Sequence, residues 1–205
     1  MSRTTSRSGM TLLELVVGLT ITGMALSAGY GALASLVDHG DRATRMLDAL
    51  SRAAAERRAL REWLEAARVT VEESGPPFRG LDGIDGRRPN DELTFLTTAR
   101  TPLGVGGTVV RLYIDRDTLT PERGLVAEFT HWPDRDRQRL EIEPRADALD
   151  CRYLTRMLGH AEWLPSWIST TVLPAAVELR LEPAPGDTLP PLLARPLVVP
   201  LGNDE

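Results

Sequence analysis

Lysine is missing from this chain: all of its fixed positive charge is carried by arginine. A phosphate-cradling P-loop needs a Lys after its glycines. The cluster Gly104, Gly106 and Gly107 therefore reads as a hairpin connection. Nor is there an excess of positive charge. A formal net charge of −5 offers no electrostatic case for nucleic acid as a partner. Cysteine occurs once, at Cys151, which excludes an intramolecular disulfide and leaves the folded part to its apolar core. Free Cys behaves as a small hydrophobe, so a buried Cys151 is expected, with a Cys-linked dimer as the alternative. The three histidines, His39, His131 and His160, stand far apart, without metal-ligand spacing or a Cys partner. No serine has a nucleophile-elbow pattern around it. Asp82 with Asp85, Asp115 with Asp117 and Asp134 with Asp136 offer oxygen atoms of the kind hard cations take. Yet no acidic group closes a loop at EF-hand spacing, and Arg116, Arg135 and Arg137 intervene, so these pairs read as solvated loop charge. The expectation is no enzyme, no metal, no cofactor and no small-molecule substrate.

Two further absences coincide at the N-terminus. Proline does not occur before Pro76, and from Met10 to Val37 the only charged residue is Glu14. An uninterrupted run of about 25 apolar or small residues exceeds the roughly 20 that cross a bilayer as a helix. Arg3 and Arg7 precede the run, which holds that end in the cytoplasm and puts the rest of the chain outside. A secretory signal peptide cut near Ala32 or Ala34 would have an apolar core of only about 7–15 residues and no Glu. A plain signal anchor is the other alternative. A carboxylate inside a spanning helix is expensive and calls for a partner, so Glu14 reads as functional. The glycines Gly18, Gly23, Gly29, Gly31 and Gly40 lower helix propensity and allow close approach of neighbouring helices.

Beyond the run the pattern turns amphipathic. Met46, Leu47, Leu50, Ala54, Leu60, Trp63, Leu64, Ala67 and Val71 recur at three- and four-residue spacing among charged residues. This predicts one helix of about 60 residues, or roughly 90 Å, ended by Glu73-Ser74-Gly75-Pro76-Pro77. The periodicity then drops to two. Glu92 to Thr98, Val109 to Ile114, Leu125 to Thr130, the alternation Leu149/Cys151/Tyr153 and the alternation Val177/Leu179/Leu181 read as strands. Leu197 to Leu201, flanked by prolines, reads as an edge strand. Helix first and strands after means α+β, with an antiparallel sheet taking the helix stripe. A content of 42% hydrophobic and 26% charged residues is that of a folded chain with room for one extramembrane domain.

The stretch Gly9-Met10-Thr11-Leu12-Leu13-Glu14, behind a short basic leader and ahead of the apolar run, resembles the N-terminus of type IV pilins and pseudopilins. Met10 stands where the family commonly has Phe. The resemblance implies a pilin-like fold, with a leader at 1–9, a transmembrane or filament-core half-helix at 10–37, an amphipathic half at 38–73 and a β-rich periplasmic head at 74–205. It implies cleavage between Gly9 and Met10 by prepilin peptidase, N-methylation of Met10, and an assembly role for Glu14 against a neighbouring subunit's amino terminus, a pair strengthened by low dielectric. Pro77-Phe78-Arg79-Gly80, Trp163-Leu164-Pro165-Ser166-Trp167 and Leu173-Pro174-Ala175-Ala176-Val177-Glu178-Leu179 further resemble the minor pseudopilin J of type II secretion systems. That resemblance implies a bacterial inner-membrane, single-pass subunit at the tip of a periplasmic pseudopilus, with the I and K minor pseudopilins and the major pseudopilin as partners. A minor type IV pilin and a membrane-anchored periplasmic binding module remain as alternatives. Trp163 and Trp167 are candidate partner contacts, since aromatics are enriched at interface hot spots; core packing is the competing role.

Overall fold

A computed structural model of the chain describes residues 11–69, 76–132, 137–157 and 160–202. Among the described residues there is one helix, α1 (Leu12–Glu65), and everything after it is strand and turn. The chain divides into two compact units, Met1–Asp48 and Ala49–Glu205. In the first, α1 runs without a break, as a stretch free of proline allows. Its apolar side chains are exposed, from Leu12 and Leu13 through Tyr30 to Leu36 and Val37, and so are Met46 and Leu47. By length and composition this helix is long and apolar enough to cross a membrane.

The second unit begins within the helix. From Ala49 onward α1 belongs with the strands. The reason is burial: Ala53, Leu60, Trp63 and Leu64 are all in the core. Ala53, rather than the expected Ala54, takes the inward position; Ala54 is exposed. The Trp63 ring meets Phe129 edge to face at 5.0 Å, a favoured aromatic geometry.

The helix also stops at Glu65, well short of Glu73. Its last carbonyls are satisfied by a strand instead of by another turn. The Thr97 hydroxyl donates to the Trp63 carbonyl at 2.8 Å, and the Thr98 N–H donates to the Ala66 carbonyl at 3.2 Å. Orphan carbonyls at a helix end need such partners. Ala67 and Arg68 then form β1, paired with Leu96 and Thr97. The expected stop at Glu73-Ser74-Gly75, and Val71 of the expected stripe, lie outside the described residues.

The remaining strands are β2 (Phe78–Leu81), β3 (Ile84–Asp85), β4 (Arg88–Pro89), β5 (Glu92–Thr97), β6 (Thr108–Asp115), β7 (Gly124–His131), β8 (Arg137–Glu143), β9 (Ala146–Met157), β10 (His160–Leu164), β11 (Trp167–Ser169), β12 (Ala176–Pro183) and β13 (Leu197–Pro200). They form two antiparallel sheets and a small hairpin, where one sheet was expected. The larger sheet has the order β11-β2-β5-β6-β7-β8, with β1 sharing the β5 edge; the smaller is β10-β9-β12-β13; β3 pairs β4. One cluster, including Leu64, Phe78, Phe95, Val110, Phe129, Leu149, Cys151, Tyr153 and Val177, joins both sheets and the helix end. Thus the fold is α+β, with β13 on an edge as its flanking prolines require. Residues 98–107 make the β5–β6 hairpin connection, closed by reciprocal bonds between Thr101 and Gly104. Close approaches demand glycine at Gly80, Gly83 and Gly124. A side chain on Gly80 would enter the Tyr153 ring, and one on Gly124, whose φ is 71°, would strike the Glu143–Pro144 backbone.

Candidate functional site

The residues that carry chemistry fall in three places: the start of α1, the two tryptophan strands, and the free side of β9. Gly9 and Met10 lie outside the described residues. The first described feature is a helix cap. Thr11 precedes α1, and the Glu14 main-chain N–H donates to the Thr11 hydroxyl at 3.3 Å and to its carbonyl at 3.1 Å. Ser or Thr at the cap with Glu three residues on is the capping-box pattern. A carboxylate in the first turn is also favoured by the helix dipole. The bonds at the cap come from the Glu14 main chain; the Thr-x-x-Glu spacing that marks this helix start was in plain view in the sequence but was not read. Along the next turns the hydroxyls are satisfied within the helix: Thr20 donates to Val17, Thr22 to Gly18 and Ser27 to Met24, at 2.8–3.0 Å. Such back-bonding is what a helix surrounded by hydrocarbon needs.

The two candidate contact residues differ. Trp167, on β11, is half-buried against the core, and its indole N–H donates to the Val172 carbonyl at 3.2 Å. Trp163, on β10, is 40% exposed. They belong to different sheets, so Leu164-Pro165-Ser166 is the crossing between sheets rather than part of one aromatic patch.

Beside Trp163 the sheet splits. One edge of β9 pairs with β10 over residues 153–157 and, lower down, bridges Asn90 at Leu149. Between these two neighbours the edge is closed by a side chain. Asp91, only 3% exposed, accepts the Cys151 N–H at 2.6 Å and the Gly83 N–H at 3.0 Å. Burial raises its pKa, the two N–H bonds oppose that rise, and Asp150 and Asp82 add to it. The result is a groove of about 430 Å³ between the β3–β4 hairpin and the outer side of β9 and β10.

Of the acidic pairs, Asp82, Asp85 and Asp117 are exposed, as solvated loop charge should be, whereas Asp115 is buried. Asp85 is paired with Arg116, and Asp115, 7% exposed, with Arg139. The Asp117 N–H and the Thr120 hydroxyl also donate to Asp115. Burial alone would raise Asp115; these donors more than offset it and hold the carboxyl below its ordinary value. Asp134 and Asp136 lie outside the described residues. His39, His131 and His160 sit on three separate elements, and no group of three or more His, Cys, Asp or Glu among the described residues is placed to hold a metal. Cys151 is fully buried, and burial, reinforced by Asp91, pushes its thiol well above the usual value. A thiol so held is a poor nucleophile. No protein-family model and no curated protein matches the chain.

Proposed function

We propose that this chain is a pilin-like assembly subunit, specifically a minor pseudopilin of a type II secretion system. In this reading the helix is anchored in the bacterial inner membrane, its N-terminus cytoplasmic and the Ala49–Glu205 unit periplasmic. The subunit joins the I- and K-type minor pseudopilins and the major pseudopilin at the tip of the periplasmic pseudopilus that drives folded proteins outward. One observation carries the reading: a helix that begins at Leu12, runs exposed and apolar to Val37, and has Glu14 as its single charge. An exposed apolar face of that length wants hydrocarbon or other helices around it. In the membrane the Glu14 carboxylate costs free energy until it meets a cation, and a processed amino terminus on a neighbouring subunit supplies one. Attraction and axial register then come from the same pair. A β-rich unit with an exposed tryptophan suits protein contacts and asks for no catalytic group.

The mass of the mature protein tests this directly. Expressed with a prepilin peptidase, the chain is expected to lose residues 1–9 and begin at N-methylated Met10. Cleavage near Ala32 or Ala34 would make it a secreted protein with a signal peptide. An intact N-terminus in the membrane would make it an anchored module that enters no filament. Either result overturns the assembly reading.

A further inference from the structure

We propose that the groove between the β3–β4 hairpin and the β9–β10 edge is a binding site for a neutral oligosaccharide. Four observations converge on it. The first is that the groove is held open. Arg116 pairs with Asp85 on β3 and donates to Asp147 on β9 at 3.2 Å; Arg88 on β4 donates to the same Asp147 at 2.7 Å and to the Pro183 carbonyl at 3.2 Å. With Asp91 bonded to Gly83 and Cys151, the hairpin is tied to β9 from both ends, and the gap beside it cannot close by collapse. Preformed concavity with a few fixed polar groups is what a ligand site needs.

The second observation is aromatic. The indole N–H groups of Trp63 and Trp167 donate to the carbonyls of Arg100 and Val172. Among the described residues that of Trp163 has no partner, and Trp163 is exposed at the groove. An indole offers a flat apolar body and a polar tip. The third is charge. Asp82 and Asp150 line the groove with Arg87 and Arg152, two of each sign, and Arg152 faces Asp150 at 3.6 Å; Asp91 and Arg88 line it too but are already held by the fold. An anion or a cation would meet as much repulsion as attraction there. A hydroxyl meets neither, because it donates to carboxylates and accepts from guanidinium groups equally well. The fourth is register. On β9, Asp150 and Arg152 lie on one face, and the pairing of Trp163 with Leu154 puts Trp163 on that same face. A planar acceptor, a planar donor and an aromatic side chain thus follow one another along one surface. Vicinal hydroxyls facing the charged pair and a C–H face on the indole would satisfy all three.

The site does not depend on the assembly reading, and its test is separate from the mass of the N-terminus. The full-length protein, in phosphocholine micelles that carry no sugar headgroup, is titrated calorimetrically with chitotetraose, cellotetraose and maltotetraose. At least one is expected to bind with a Kd of about 1 mM or tighter. Chitotetraose alone would point to an N-acetylated wall-type glycan; the glucose oligomers would point to a plain glucan. Trp163→Ala is expected to weaken binding at least about tenfold, which is about 1.4 kcal/mol. Arg87→Ala, at an exposed turn position, is expected to weaken it without shifting the melting temperature. Binding by none of the three sugars overturns the proposal. So does binding that both variants leave unchanged. Loss of subunit association in Trp163→Ala, with no sugar bound by the parent protein, would assign the groove to a protein partner and overturn it equally.

Discussion

The main-chain N–H of Glu14 donates to the hydroxyl of Thr11, so the residue that carries the only charge of the apolar helix is also part of the cap that starts it. The cap bond uses the Glu14 main chain and the charge its side chain, so the two can be separated by substitution. Glu14→Gln keeps a side chain suited to a capping box and removes the charge. Thr11→Ala keeps the charge and removes the cap, at a cost of about 1 kcal/mol of helix stability. The expectation is that Glu14→Gln inserts and is cleaved like the parent chain but fails to co-purify with filament subunits, whereas Thr11→Ala retains association. Association of Glu14→Gln at the parent level would reduce Glu14 to a cap residue.

The helix end is set by strand β5. Thr97→Val is nearly isosteric and leaves the Trp63 carbonyl buried without its donor. A lost partner of that kind costs about 1–3 kcal/mol. The melting temperature of the full chain in detergent should fall accordingly, and Thr97→Ser, which keeps the hydroxyl, should recover most of the loss.

Arg57 fastens the segment before β13 to the helix. Its guanidinium donates to the carbonyls of Leu192, Arg195 and Pro196, each at 2.8 Å. An ammonium cannot reproduce that fork. Arg57→Lys and Arg57→Ala are therefore expected to raise amide exchange at Leu193 and Ala194 alike, with a stability loss of about 1 kcal/mol. Protection retained in the Lys variant would show that charge alone suffices.

Asp115 gives the fold an acid limit. Its pKa is lower folded than unfolded, so its contribution is complete above the unfolded value and disappears as pH falls through the folded one, below 3.8. Asp91 has the opposite sign: burial raises it, so its contribution is present in acid and is lost as pH climbs through the raised value. Asp115→Asn should cost about 1–3 kcal/mol at pH 7, since it removes the charge-assisted bond and leaves Arg139 only Glu122, at 3.6 Å. The difference between variant and parent should shrink steadily below about pH 4. A difference that stays constant to pH 2 would remove the ion pair from the account.

Much of the architecture was legible because side-chain alternation reports a half-buried strand. β5, β6, β7, β12 and β13 fall within a residue or two of their expected limits. The end of α1 was not legible: Ala66, Ala67 and Arg68 are sound helix residues, and only Thr97 and Thr98, some thirty positions on, stop them. β8 escaped for the reverse reason, since Arg137, Gln138, Arg139 and Glu141 lie on an edge where polarity carries no strand signal. The groove beside Trp163 was beyond reach altogether. It exists because Asp91 meets the Cys151 N–H across sixty positions of chain.

Cys151 is the only thiol and is sealed inside the core. The protein is consequently a ready background for site-directed spin labels and crosslinkers, with no native cysteine to remove first. A cysteine placed at Ser35 on the apolar helix or at Ala161 on the exposed β10 strand would be the sole group a maleimide reaches. The surroundings of the helix and of β10 could then be probed one position at a time, on a chain otherwise unaltered.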